Sequence, residues 1–162
     1  MIEPLAHHKP IINDLRVIIR QATILDVPAI LPLIQQLGYP TSENEFRLRF
    51  QKFTQNLGYG VAVASLDNQV VGWVAWSKSE LLILAKTRFN IEGLVVDEQH
   101  RGKGLGKKLM SFVEEVASRF SPSVIDVTSG VRRAKEGVHE FYKRLGYNQD
   151  GRNAKIFFRK EL

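Results

Sequence analysis

The residues best suited to chemistry lie in one run, Val95-Val96-Asp97-Glu98-Gln99-His100-Arg101-Gly102-Lys103-Gly104-Leu105-Gly106-Lys107. It reads as a strand that enters a glycine-rich turn and opens a helix. Three glycines in five positions let the main chain approach a ligand unobstructed, and successive N–H groups at a helix N-terminus present partial positive charge. Arg101, Lys103 and Lys107 add full charges beside them. The guest such a turn fits is a pyrophosphate.

Spacing separates this turn from better-known phosphate loops. A nucleotide P-loop needs glycine, four residues and then Gly-Lys-Ser/Thr, but Gly106-Lys107 is followed by Lys108 and position 101 is arginine. A dinucleotide fingerprint needs Gly-x-Gly-x-x-Gly, and the run here is Gly-x-Gly-x-Gly.

The elements that must position this turn follow from periodicity. Strands are expected at 15–21, 59–66, 69–76, 90–96, 124–128 and 154–159, with an Asp67-Asn68 turn making the second and third a hairpin. Asp26 is expected to cap a first helix carrying Val27, Ile30, Leu31, Ile34 and Leu37, stopped by Gly38 and kinked or delayed by Pro32. Ser42 and Glu45 form a capping box for a second helix, with Phe46, Phe50, Phe53 and Leu57 on one face. Leu105, Leu109, Phe112, Val113, Val116 and Phe120 mark a long third helix. Val138, Phe141, Tyr142 and Leu145 mark the last, which Gly146 ends. Residues 81–89 are ambiguous between a short helix and a connection. The order suits an α/β (α+β) chain with a mixed sheet, its 90–96 and 124–128 strands parallel and joined by a right-handed crossover through the long helix.

Two motifs then carry a resemblance. Gln99-x-x-Gly102-x-Gly104 is similar to the coenzyme A pyrophosphate loop of the GNAT N-acetyltransferase superfamily, Gln/Arg-x-x-Gly-x-Gly/Ala. Phe141-Tyr142-Lys143-Arg144-Leu145-Gly146-Tyr147 is similar to that family's helix ending in Phe-Tyr-x-x-x-Gly-Phe/Tyr. Gly137 stands where the family usually has alanine, and would loosen that helix. The order of elements resembles the family fold from about residue 15 to the end.

The resemblance implies a mostly antiparallel twisted sheet of six to seven strands with about four helices on both faces. Its central parallel strands splay in a V. It also implies direct transfer from acetyl-CoA to a primary amine of a small molecule, peptide or protein, without an acyl-enzyme or a metal. Residues 99–107, that is Gln99, His100, Arg101, Gly102, Lys103, Gly104, Leu105, Gly106 and Lys107, would hold the pyrophosphate. Leu94, Val95 and Val96 would pair with the pantetheine arm, and the Val96 amide would face the thioester carbonyl. Such an amine is protonated at neutral pH, so a base must remove a proton before nitrogen attacks. Glu92, on the cofactor strand, is the candidate base, and Tyr142 matches the family's acid for the leaving thiolate. His139 lies one turn from Tyr142, and Arg132 and Arg133 stand where family members often place an asparagine.

Composition sets the outer limits. The 162 residues suit a tail at 1–14 and a single domain at 15–162, and 44% hydrophobic with 25% charged residues is an ordinary globular balance. The longest apolar stretches are too short to cross a bilayer. The chain has no cysteine, and its first residues lack the plan of a signal peptide, so a cytoplasmic location is expected. A net charge of +6 favours anionic partners. Its basic residues are dispersed, so no nucleic-acid or membrane partner is expected; a homodimer is an expectation from the family alone. Two alternatives remain: an acyl-CoA-binding regulatory module without turnover, and a basic nucleic-acid-binding domain.

Overall fold

A computed structural model of the chain describes residues 17–149 and 158–162. The expected tail at 1–14 and most of the expected strand at 154–159 lie outside them. Five strands form one sheet in sequence order: β1 (Val17–Gln21), β2 (Gly60–Leu66), β3 (Gln69–Glu80), β4 (Thr87–Val96) and β5 (Ser123–Val127). The described residues thus hold five strands where six or seven were expected. β1 to β4 pair antiparallel. β4 and β5 set out from the same end, where the Thr87 N–H donates to the Pro122 carbonyl at 3.0 Å. The helices are α1 (Val27–Leu37), α2 (Glu43–Thr54), α3 (Leu105–Ser118) and α4 (Val138–Arg144). The chain divides into two compact units, one ending at Asp126 and one beginning at Val127.

In the first unit, alternation along the strands assigns the two faces. Val61, Val63, Trp73, Ala75 and Val95 share a buried cluster with Val27, Ile30, Leu33 and Ile34 of α1 and Phe50 of α2. Ala62, Ala64, Val74 and Trp76 point the other way, towards α3, whose Leu109, Met110 and Val113 are fully buried. The Asp67-Asn68 hairpin is as expected: both residues are left-handed (φ 48° and 65°), the turn whose twist matches its strands. The ambiguous stretch is a turn, after which β4 starts at Thr87, three residues earlier than expected, because β3 and β4 continue as a hairpin past the end of β2.

The capping box forms as expected, the Glu45 N–H donating to Ser42 Oγ at 3.3 Å and the Ser42 N–H to Glu45 Oε2 at 3.2 Å. Leu57 does not share the aromatic face of α2; it lies past the helix end and is 96% exposed. Phe120 likewise falls beyond α3, its ring tilted against that of Phe89. α1 runs through Pro32 rather than beginning after it.

Asp26 does not cap α1 through its side chain. Its carboxylate turns back to accept from the Thr23 N–H at 2.8 Å and from both Arg20 terminal nitrogens at 2.7 and 2.8 Å. The Arg20 hydrogen bonds are the largest cause holding the Asp26 carboxyl below its usual range. A depressed folded value stabilises the native state above the ordinary carboxyl pKa, and that contribution is lost as pH falls through the folded value. Asp26→Asn should therefore cost about 2 kcal/mol at pH 7, discounted for the half-exposed arginine. Urea unfolding should show the gap to wild type closing below about pH 4; a gap that stays constant from pH 7 to pH 3 would refute the ionic role.

In the second unit, a 3-10 segment (Val131–Glu136) precedes α4, which Gly146 follows at φ 90°. Gly137 is not inside the helix, so it does not loosen it; it is the left-handed residue (φ 74°) before the first turn.

Candidate active site

The turn begins where β4 stops. The Asp97 N–H still donates to Val71 C=O at 2.8 Å, the last rung towards β3. The Asp97 carboxylate then organises the next three residues: Oδ1 accepts from the Gln99 N–H at 2.9 Å and from His100 Nδ1 at 3.1 Å, closing a 3-10 turn over Glu98–His100. Those bonds, His100 first, hold its carboxyl below the usual range, so it is an anion that positions rather than a proton donor.

Gly102 and Gly104 both adopt φ +77°, and a Cβ placed on either would meet nothing within 4 Å. These glycines therefore answer to backbone conformation and an open approach, not to packing. Gly104 is the N-cap of α3, and the first intrahelical bond runs from the Lys108 N–H to its carbonyl at 3.1 Å. The amides of Leu105, Gly106 and Lys107 precede that bond and are the donors a helix start leaves for an anion. Leu105, only 2% exposed, anchors the helix start, while Arg101, Lys103 and Lys107 stand exposed around it. Arg101 Nε donates to the Val96 carbonyl at 3.1 Å. The residues present thus fit a diphosphate.

Along β4 the two sides of the backbone alternate. Asp97 addresses β3, so the amides of Leu94 and Val96 face away from it, towards the β5 side, and the Arg101 bond to Val96 C=O agrees with that direction. Val95 is the exception among the expected contact residues, because its side chain is 5% exposed in the α1 core and its peptide groups serve β3.

Glu92 sits at an irregularity. Gly93 opposes Ala75 and Ile91 opposes Trp76, so Glu92 is the extra residue of a bulge, a device that re-aims a side chain. The Trp73 indole lies over Gly93, where a Cβ would come within 2.6 Å of the ring. Glu92 is exposed, and its Oε1 accepts from Ser77 Oγ at 2.5 Å and from Asn90 Nδ2 at 3.0 Å. Neither partner was read from the sequence: Ser77 reaches Glu92 only through the register of β3 against β4, and Asn90 lies two residues before it on the same strand.

In the second unit, the rings of Phe141 and Tyr147 meet Tyr142 edgewise, with centroids at 5.1 and 5.9 Å. Burial pushes the Tyr142 phenol up to about 12, opposed by the nearby charge of Arg133. Arg133 pairs with Glu136 at 3.3 Å. His139 is half-buried on the same helix as Tyr142.

Residues 28–147 match the acetyltransferase (GNAT) family. An aminoalkylphosphonate N-acetyltransferase from Salmonella typhimurium is 26% identical over 136 residues, covering 81% of this chain and 84% of that protein. An uncharacterized N-acetyltransferase from Methanocaldococcus jannaschii is 30% identical over 91 residues, covering 56% of this chain but only 39% of that longer protein. Among solved structures, an aminoglycoside N-acetyltransferase in complex with CoA superposes with a TM-score of 0.77 over 94% of this chain and 99% of its own; at 17% identity the likeness concerns fold. With a turn open to an anion and a match running from the first helix past the last, this chain belongs to the acetyltransferase (GNAT) family.

Proposed function

We propose that the chain transfers the acetyl group of acetyl-CoA to the nitrogen of a primary amine in one direct step, with both substrates bound. One observation carries this reading: two left-handed glycines with open Cβ positions lead into the unpaired first-turn amides of α3, among three exposed cations. Acetyl-CoA supplies an acyl carbon activated as a thioester and a thiolate leaving group. The turn from His100 to Lys107 holds the diphosphate. The Val96 N–H donates to the carbonyl oxygen as charge builds there, and a donor so placed is worth roughly 3 kcal/mol.

Glu92 takes the proton that the acceptor ammonium must lose, directly or through one water. Ser77 and Asn90 both address Oε1, which leaves Oε2 as the accepting oxygen. As the N–C bond forms and the C–S bond breaks, the second proton of the nitrogen passes to water and the sulfur leaves as a thiolate; the Phe141-Tyr142 motif makes Tyr142 the proposed hydrogen-bond donor to that thiolate. A phenol at about 12 gives up its proton less readily than a thiol at about 8.5. Tyr142 therefore acts through a hydrogen bond in the transition state, without a long-lived phenolate.

The acceptor is proposed to be a small primary amine, in keeping with the Salmonella relative named for an aminoalkylphosphonate. A panel of small amines, amino acids and peptides with thiol release as readout tests this; tight CoA binding with no turnover on any of them would leave a binding module instead. Glu92→Gln should lower kcat about tenfold or more and remove the acidic limb of the rate profile. An unchanged pH profile would clear Glu92 of the base role.

A further inference from the structure

The turn is latched from a distance by α1. Gln36, in the last turn of α1, places its side-chain amide against the first two residues of the turn. Its Oε1 accepts from the Glu98 N–H at 3.1 Å, and its Nε2 donates to Asp97 Oδ2 at 3.1 Å. Only one orientation of the amide makes both bonds, because a carboxylate needs the NH2 end and a peptide N–H needs the oxygen. Asp97 hands this anchoring on, since its other oxygen holds the Gln99 N–H and His100 Nδ1 while its own N–H is tied to Val71. Three segments distant in sequence thus meet at one residue: α1, the start of β3, and the residues that lead into Gly102.

We propose that Gln36 is a positioning residue for donor binding, fixing the chain that enters the phosphate turn before the ligand arrives. The inference rests on the reading of 99–107 as part of the acetyl-CoA site. Its physical basis is pre-organisation: an exposed turn that must order its amides on binding loses affinity for the cost of that ordering. Gln36 is itself exposed on a helix whose buried side is Val27, Ile30, Leu33 and Ile34, so its bonds contribute to the turn and little to the core.

The experiment measures CoA affinity by calorimetry in three variants. Gln36→Met keeps length and removes both hydrogen bonds. Gln36→Glu keeps the acceptor for Glu98 but sets a second carboxylate against Asp97. Gln35→Met, one residue along and also exposed, is the control. We expect Gln36→Met to weaken CoA binding about five- to tenfold, and Gln36→Glu at least as much. Gln35→Met should bind like wild type. The apo melting temperatures should stay within about a degree or two, and amide exchange at Glu98 and Gln99 should quicken. With an accepted amine, KM for acetyl-CoA should rise while kcat changes by less than about twofold. If wild type binds CoA and both Gln36 variants bind it equally well, the latch is refuted and the site stands. If wild type does not bind CoA at all, both the site and the latch fall.

Discussion

Gly104→Glu should abolish the rise in melting temperature expected of the wild-type protein with acetyl-CoA, and weaken CoA binding by about 100-fold or more. Two effects add. At φ +77° any side chain adds strain of about 1–2 kcal/mol, which the backbone relieves by leaving the conformation that aims the α3 amides outward. A carboxylate at the N-cap would also stand in the proposed diphosphate site, and like charges so close cost several kcal/mol; 100-fold is about 2.7 kcal/mol. A Cβ at this position would have no atom within 4 Å, so the apo protein should keep its fold and its far-ultraviolet spectrum. Gly104→Ala separates the effects, because it carries strain without charge and should cost about tenfold. An acetyl-CoA shift in Gly104→Glu equal to that of wild type would refute the assignment of the turn.

Tyr142→Phe should lower kcat by about 100- to 1000-fold while leaving the affinity for CoA nearly unchanged. The ring that meets Phe141 and Tyr147 is preserved in phenylalanine, so packing within the second unit changes little. In the proposed mechanism the change removes the hydrogen bond that Tyr142 offers to the leaving thiolate. Because burial raises the phenol to about 12, it stays protonated throughout the working range. The wild-type rate should therefore show no alkaline fall from this group until the pH nears that value, and single-turnover rates measured up to about pH 10 check the point. Full activity in Tyr142→Phe would remove its role; a raised KM for acetyl-CoA with unchanged kcat would make it a binding residue instead.

The features legible in the sequence were local. The glycine turn, the Asp67-Asn68 hairpin and the Ser42–Glu45 box each announce themselves within a few residues, because backbone conformation and short-range hydrogen bonds decide them. Asp26 misled on the same grounds: it stands where a cap belongs, but Arg20 on the neighbouring strand offers two charged donors and takes the carboxylate. Glu92 could be picked out as a carboxylate on β4, yet its bulge and its Ser77 donor exist only once β3 and β4 are in register. The start of β4 was hidden for a related reason, since 81–89 has no clear period of its own and the extended form of its last residues comes from pairing with β3. Gln36 carries no signal at all, because 61 residues separate it from the carboxylate it holds.

The central claim is that main-chain amides of one turn bind the donor's diphosphate. Amide chemical shifts of isotope-labelled protein, followed as CoA is titrated in, test it residue by residue. The account predicts the largest movements at Gly102, Gly104, Leu105, Gly106 and Lys107, saturating together with one dissociation constant. Saturable CoA binding that moves other amides and leaves those of this turn in place would contradict it.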